Sequence, residues 1–182
     1  MKGPRAEGFI VMRTPYYADG LEDLIAWINT HRPTSEMRML EIGSYVGEST
    51  LQFAKHFKQV VSIDPYMENY DDNDLACNAW PLSWAYNRFL ENTMNHSNIK
   101  SIRMTSDEAL NVVNKYRWDF IYIDALHTYE GVKNDIQNYR GLLIPGGFLA
   151  GHDYGWEGVK QAVDENLIVH QSFKDTSWVT KL

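Results

Sequence analysis

The chain has 182 residues, a hydrophobic fraction of 44% and a formal net charge of −7. This length can bury one sizeable core, so we expect a single domain over residues 1–182. The acidic balance, with no local cluster of Lys and Arg, argues against nucleic acid as a partner. No apolar run approaches the roughly 20 residues of a membrane span, which argues against a membrane protein. The lone Cys77 allows no intrachain disulfide and the N-terminus lacks a signal-peptide core, so we predict a cytoplasmic protein.

Amphipathic stretches and short apolar runs alternate along the chain. Predicted helices cover residues 21–30, 49–57, 83–95, 105–115, 129–140 and 158–165. Predicted strands cover residues 38–42, 60–63, 99–104, 119–123, a run from the Pro145-Gly146-Gly147 turn to near His152, and residues 168–173 and 178–181. Strands separated by helices predict an α/β fold, Rossmann-like and doubly wound, with a mostly parallel sheet between two helix layers. The last two strands predict a C-terminal antiparallel hairpin.

Residues 66–81 break this alternation and are predicted to form a lid or insertion. The segment is acidic and rich in Asn, and we interpret Asp71, Asp72 and Asp74 as a solvated loop rather than a metal site. Aromatic side chains near it could form a wall for an acceptor molecule, although their near-helical spacing favours packing. These aromatic residues are Trp80, Trp84, Tyr86 and Tyr129.

Two glycines, Gly43 and Gly47, follow the first predicted strand within EIGSYVGEST at residues 41–50. Glycines in a strand-to-helix turn let a ligand approach the backbone closely. The Gly-Lys-Ser/Thr of a Walker loop and the three glycines of GxGxxG are both missing, which disfavours a phosphate ligand. Glu41 and Glu48 instead favour a ligand that carries positive charge, such as an ammonium and a sulfonium.

Asp64 ends the next predicted strand, about 20 residues after the loop, where a carboxylate can accept hydrogen bonds from both ribose hydroxyls. Together with the loop, it predicts an adenosine ligand without phosphates. The alternative is that Gly43 and Gly47 make only a tight turn and that Asp64 caps a helix.

The segment MLEIGSYVGEST resembles the first motif of the class I S-adenosylmethionine-dependent methyltransferases, especially the small metal-dependent O-methyltransferases of the catechol and caffeoyl-CoA type. FIYIDALHTYEGVKNDIQNYRGLLIPGGFLAGHDYG, followed by GVKQAVDE, is similar to the family that includes macrolide-sugar O-methyltransferases. The resemblance extends from about Met39 to Glu165 and implies S-adenosylmethionine as cofactor. It implies cofactor contacts by Glu41, Gly43, Ser44, Tyr45, Gly47, Ser49 and Asp124, ribose contact by Asp64 and adenine contact by Thr105 or Ser106.

Four polar residues follow the ends of neighbouring predicted strands: Asp124, His127, His152 and Asp153. The two carboxylates suit a divalent ion such as magnesium, which would bind acceptor oxygens and lower their pKa. His127 is then suited to act as general base, because an imidazole titrates near neutral pH. The alternative is that the carboxylates are caps or loop hydrogen-bonders and His152 a strand-end residue.

His152-Asp153-Tyr154 departs from both related patterns, since the catechol type has Asn after its second metal-binding Asp and the sugar type pairs two acids. A histidine ligand would favour Mn, Fe or Zn over Mg.

The resulting prediction is an O-methyltransferase that acts on a hydroxyl of a small molecule. Two alternatives stay open: a nucleotide-sugar-dependent glycosyltransferase, and a non-catalytic cofactor-binding or interaction protein with the same fold. The N-terminal segment, with Phe9, Ile10, Tyr16 and Tyr17, could pack on a partner subunit in a homodimer or on its own domain.

Overall fold

A computed structural model describes residues 15–71 and 80–182. Its helices are α1 (Pro15–His31), α2 (Glu48–Ala54), α3 (Leu82–Thr93), α4 (Ser106–Val113), α5 (Tyr129–Tyr139) and α6 (Glu157–Asn166). Its strands are β1 (Arg38–Ile42), β2 (Gln59–Ile63), β3 (Ile99–Ile102), β4 (Trp118–Ile123), β5 (Leu143–Gly151), β6 (Gln171–Ser172) and β7 (Trp178–Lys181). Two short 3-10 helices cover Thr34–Glu36 and Arg140–Leu142.

The strands form one 7-stranded sheet in the order β3-β2-β1-β4-β5-β7-β6. Strands β1 to β5 pair in parallel, and β7 runs antiparallel to both β5 and β6. The predicted Rossmann-like sheet with an antiparallel C-terminal hairpin is therefore confirmed. Parallel strands need crossover helices, and these helices cover both faces of the sheet.

Alternate residues of the central strands point to opposite faces of the sheet. Met39 and Phe120 pack in one buried cluster with residues of α1 and α2. Leu40 and Ile121 pack in the other buried cluster, with residues of α4, α5 and α6. This alternation produces the three layers, and it turns the side chain of Glu41 toward α2.

Several boundaries differ from the sequence prediction. Helix α1 begins at Pro15, before the predicted start at residue 21, because proline is favourable in the first turn of a helix, where no backbone donor is needed. Strand β6 is only Gln171–Ser172, not 168–173, and Ile168 is 83% exposed. Thr105 and Glu108 form a capping box at the start of α4, with both of its hydrogen bonds present.

The predicted lid at residues 66–81 falls partly outside the described residues, together with Asp72, Asp74 and Cys77. Phe9 and Ile10 of the N-terminal segment also lie outside them. Among the helices in residues 15–71 and 80–182, none is both long and apolar enough to cross a membrane.

Candidate active site

A cavity of about 380 Å³ opens at the carboxyl ends of the parallel strands. Gly43 follows β1, Asp64 follows β2, Asp124 follows β4 and His152 follows β5, and all four residues line it. In open α/β sheets, ligands bind at this edge, where the chain changes direction around the sheet. The cavity therefore lies where a ligand site is expected.

The glycine loop makes a tight turn beneath this cavity. Gly43, Tyr45 and Gly47 have positive φ angles of 89°, 45° and 85°. A Cβ atom at Gly43 would lie 1.8 Å from the carbonyl oxygen of Asp124, so no other residue fits there without moving the backbone. The loop after β1 and the loop after β4 are thus in direct backbone contact.

The carboxylate of Asp64 holds the loop through backbone hydrogen bonds. Its Oδ2 accepts from the N–H groups of Ser44 and Tyr45, at 3.0 and 2.9 Å, and its Oδ1 accepts from that of Tyr66 at 2.9 Å. The hydroxyl of Tyr66 donates in turn to the carbonyl of Tyr45 at 2.9 Å. Burial raises the pKa of Asp64, and the three N–H groups oppose that rise.

Glu41 lies under the loop, is fully buried and does not line the cavity. Its carboxylate accepts hydrogen bonds from the hydroxyls of Ser49, at 2.5 Å, and Thr50, both in the first turn of α2. Glu41 therefore fixes the start of α2 relative to β1, while Ser49 also reaches the cavity wall.

A cluster of carboxylates and imidazoles occupies the other end of the cavity. His152 Nδ1 lies 3.1 Å from Asp153 Oδ2 and 3.8 Å from Asp124 Oδ1. One donor atom from each of these three residues lies within 4.8 Å of the others, and this donor set fits a divalent metal ion. Asp153 has a left-handed backbone with φ of 57°, a conformation that is uncommon for non-glycine residues but that Asp adopts more readily than most.

His127 lies between two carboxylates. Its Nδ1 is 2.8 Å from Asp71 Oδ2, its backbone N–H donates to the same oxygen at 3.0 Å, and its Nε2 is 2.9 Å from Asp153 Oδ2. Burial alone would lower the pKa of His127, but the hydrogen bond and charge of Asp153, the charge of Asp124 and the hydrogen bond to Asp71 raise it to about 10. In this arrangement His127 is an imidazolium at neutral pH.

The interpretation of Asp71 as part of a solvated loop is wrong. Asp71 is only 5% exposed, and its contact with His127 brings the segment after β2 to the carboxylate and imidazole cluster. Sequence reasoning missed this contact because 56 residues separate the two side chains and Asp71 lies in a stretch without periodicity. A polar residue in an acidic run gave no signal that distinguished it from its neighbours.

Besides Glu41, three further residues predicted to contact the cofactor lie away from the cavity lining. Gly47 packs against Phe89, where an added Cβ would come within 3.0 Å of the ring. Thr105 caps α4, and the backbone carbonyl of Ser106 accepts a hydrogen bond from the Tyr139 hydroxyl at 2.5 Å. Adenine contact by Thr105 or Ser106 stays a prediction.

The cavity lining contains the aromatic residues Tyr17, Tyr45, Tyr66, Tyr70 and Trp156, and none of them belongs to the acceptor wall considered from the sequence. The residues of that predicted wall do not line the cavity, in keeping with a packing role; they are Trp80, Trp84, Tyr86 and Tyr129. The ring centroids of Trp80 and Trp84 lie 5.6 Å apart. Tyr17 and Trp156 line the cavity instead, beside the carboxylate cluster. Tyr17 lies in the part of α1 that the sequence prediction left out.

This sheet order, with an acid-and-glycine loop after β1 and an acid after β2, is that of the Rossmann-like class I methyltransferases. A family model described as a methyltransferase domain matches residues 40–154, and the chain belongs to this family. The resemblance stated from the sequence is therefore confirmed. A search among curated proteins finds no match.

Solved structures with the same fold share little sequence with the chain. N-methyltransferase NodS from Bradyrhizobium japonicum WM9, in complex with S-adenosyl-L-homocysteine, is 19% identical with a TM-score of 0.62, covering 94% of this chain and 88% of NodS. A candidate caffeoyl-CoA O-methyltransferase from Staphylococcus aureus is 18% identical with a TM-score of 0.59, covering 89% and 82%. CalS11, a TDP-rhamnose 3'-O-methyltransferase of calicheamicin biosynthesis, is 15% identical with a TM-score of 0.57, covering 93% and 81%.

Proposed function

We propose that the chain is an S-adenosylmethionine-dependent methyltransferase that methylates a hydroxyl group of a small molecule. The observation that carries the proposal is one cavity with two chemically different ends. Asp64 and the glycine loop form one end, and the carboxylate and imidazole cluster forms the other. Membership of the methyltransferase-domain family favours this reaction over glycosyl transfer.

The end with Asp64 would hold the cofactor. S-adenosylmethionine, when bound, supplies a methyl group that its sulfonium makes electrophilic. Asp64 would accept from the ribose hydroxyls, while Gly43, Ser44 and Tyr45 leave the backbone open to close approach. Ser49 would contact the cofactor from the start of α2, and Glu41 and Gly47 would support the loop from below.

Asp124, His152 and Asp153 would hold a divalent metal ion, which would bind the acceptor oxygen and lower its pKa. Two carboxylates suit magnesium, whereas the imidazole of His152 favours manganese, iron or zinc. The fit rests on the donor atoms of these three residues, which lie within 4.8 Å of one another.

His127 is the proposed general base. The hydrogen bond between Nδ1 and Asp71 would keep a proton on that nitrogen, which leaves Nε2 as the atom that accepts the acceptor's proton. Nε2 is 2.9 Å from Asp153 and the imidazole is protonated in the ligand-free arrangement. The base role therefore requires Asp153 to release Nε2 and His127 to lose a proton before the acceptor reacts.

Calorimetric titration with S-adenosylhomocysteine tests the cofactor end. Asp64→Asn keeps the shape of the side chain but removes its charge, so we expect binding weakened about 10-fold or more. Glu36→Gln is the matched control, because Glu36 is an exposed acid just before β1, at the opposite end of the sheet. The Glu36→Gln protein should bind S-adenosylhomocysteine with the affinity of the wild type.

The same titration with added Mg²⁺, Mn²⁺ or Zn²⁺ tests the metal end. A heat of binding that depends on the added metal ion, and that disappears in Asp124→Asn, supports the metal site. Absence of S-adenosylhomocysteine binding by the folded wild type would overturn the methyltransferase proposal. Cofactor binding without methyl transfer to any hydroxylated acceptor would favour a non-catalytic cofactor-binding protein.

A further inference from the structure

Two exposed aromatic rings border the catalytic end of the cavity. Tyr17 and Trp156 are 38% and 42% exposed and both line the cavity. The ring centroid of Tyr17 lies 5.8 Å from that of His152, and the centroid of Trp156 lies 4.9 Å from that of His127. Because each imidazole also contacts Asp153, the two rings approach the same carboxylate through different histidines.

Both rings are carried on ordered backbone, a hydrogen-bonded turn for Trp156 and helix α1 for Tyr17. The N–H of Trp156 donates to the carbonyl of Asp153 at 2.9 Å, so a single turn positions the carboxylate and the indole. Tyr17 lies in the first turns of α1, where the hydroxyl of its neighbour Tyr16 donates to the carbonyl of Lys174. Aromatic faces held in this way stack on another flat ring.

Acidic side chains outnumber basic ones in the lining of the whole cavity. Glu48, Asp71, Asp124 and Asp153 all line the cavity. Among the described residues, no Lys or Arg lines it, and the basic groups there are the two histidines that contact Asp153. The imidazolium of His127 is already paired with Asp71 and Asp153, so a carboxylate or phosphate on the acceptor would meet like charge with no unpaired cation among the described lining residues.

We infer that the acceptor is a ring compound without negative charge, which stacks on Tyr17 and Trp156 and presents its reacting group to the carboxylate and imidazole cluster. The inference rests on the proposed function, since it assigns the acceptor of that reaction. It selects uncharged or amine-bearing ring compounds over compounds with a carboxylate or phosphate close to the reacting ring.

Three phenols of nearly equal size and different charge test the inference: tyramine is a cation, tyrosol is neutral and 4-hydroxyphenylacetate is an anion. Their affinities would be measured by calorimetry on the full chain, saturated with S-adenosylhomocysteine and kept metal-free with EDTA. We expect the anion to bind about 10-fold or more weakly than tyrosol, and tyramine at least as tightly as tyrosol. Raising the salt concentration should narrow these differences.

Tyr17→Leu and Trp156→Leu should each weaken tyrosol binding about 3- to 10-fold without changing the affinity for S-adenosylhomocysteine. Tyr116→Leu is the matched control, because Tyr116 is likewise an exposed tyrosine, at 43%, and does not line the cavity. Equal affinity for the anion and tyrosol, or no binding of any phenol to the cofactor-loaded chain, would overturn the inference and leave the proposed function standing. Failure of S-adenosylhomocysteine itself to bind would instead overturn the proposed function.

Discussion

Backbone groups shape one end of the cavity, and side chains shape the other. At the end with Asp64, the backbone sets the shape: the carboxylate accepts three backbone N–H groups, and Gly43 lies against the carbonyl of Asp124. At the other end, side chains set the shape through contacts of His127 with Asp71 and Asp153. A backbone-built end is fixed by the fold, whereas a side-chain-built end can change with one substitution and leave the fold intact.

Gly43→Ala is expected to have the largest effect, because it breaks the backbone-built end. The added methyl would meet the Asp124 carbonyl oxygen at 1.8 Å, and alanine would be strained at the φ of 89°. We expect a loss of about 3 to 5 kcal/mol in the free energy of unfolding. Urea denaturation followed by circular dichroism measures it.

Gly141→Ala is the matched control for that substitution. Gly141 has no heavy atom within 4 Å of the position of an added Cβ and no positive φ. Its unfolding free energy should stay within about 0.5 kcal/mol of the wild type. A stable Gly43→Ala protein would contradict the close backbone contact between the two loops.

Asp135 is a second buried acid, and it lacks the backbone N–H donors that oppose the rise in the pKa of Asp64. Comparing the wild type with Asp135→Asn shows what burial does to the pKa of an acid without such donors. Burial raises the pKa of Asp135 to about 7, although a hydrogen bond with Ser106 opposes the rise. A folded pKa above the unfolded one means that the folded state binds more protons between about pH 4 and 7, so stability falls as pH rises through that window. The wild type should lose about 3 kcal/mol more than Asp135→Asn between pH 4.5 and 7.5.

Chemical denaturation at several pH values measures this difference. Subtracting the unfolding free energies of the two proteins at each pH cancels the contributions of other titrating groups, including His127. Parallel stability curves for the two proteins would show that Asp135 titrates at its ordinary pKa.

Asp71→Asn tests the side-chain-built end. One oxygen of Asp71 accepts from both the backbone N–H and Nδ1 of His127, and the amide oxygen can replace it, so the loop stays in place. The substitution removes the charge beside Nδ1 that raises the pKa of His127, which makes Nε2 a weaker base. We expect kcat/KM for an acceptor that the wild type methylates to fall about 10- to 100-fold. The affinity for S-adenosylhomocysteine should not change.

Asp107→Asn is a suitable control, since Asp107 is exposed and bonds to Asn134 and Asn138 rather than to the cavity. A proton NMR spectrum adds a test that activity cannot give, because the hydrogen-bonded ring proton of His127 should shift in Asp71→Asn only. Loss of cofactor affinity together with activity would mean that Asp71 supports the fold rather than His127.

Thr105→Ala is expected to have the smallest effect. The hydroxyl of Thr105 accepts from the N–H of Glu108 at 3.3 Å, and loss of this cap should cost about 1 kcal/mol of stability. If capping is its only role, the affinity for S-adenosylhomocysteine stays unchanged. A fall in affinity of about 10-fold, beyond that of a Glu108→Ala control, would support the adenine contact implied by the family resemblance.

The sequence was sufficient for the fold because its signals are local. Apolar periodicity predicted β1, β2 and β4 to within one residue, and the glycines of the loop, with Asp64 about 20 residues later, predicted which strand ends form the ligand edge. Each of these signals lies within a single strand and its following turn.

The carboxylate and imidazole cluster could be predicted from the sequence only in part. Asp124, His127, His152 and Asp153 follow strand ends, so they were expected to meet, and they do line one cavity. Asp71, Tyr17 and Trp156 were missed because their positions depend on how distant segments pack. The charge state of His127 was equally hidden, because it depends on three carboxylates brought together by the fold.

The two cavity rings lie outside the part of the chain that matches the methyltransferase domain. That match covers residues 40–154, whereas Tyr17 precedes it and Trp156 follows it. Under the proposed function, the shared domain would hold the cofactor and the carboxylate and imidazole cluster, and the flanking segments would supply the rings that meet the acceptor. Laboratory evolution toward a new acceptor could therefore begin with α1 and the turn before α6, and leave the residues that serve methyl transfer untouched.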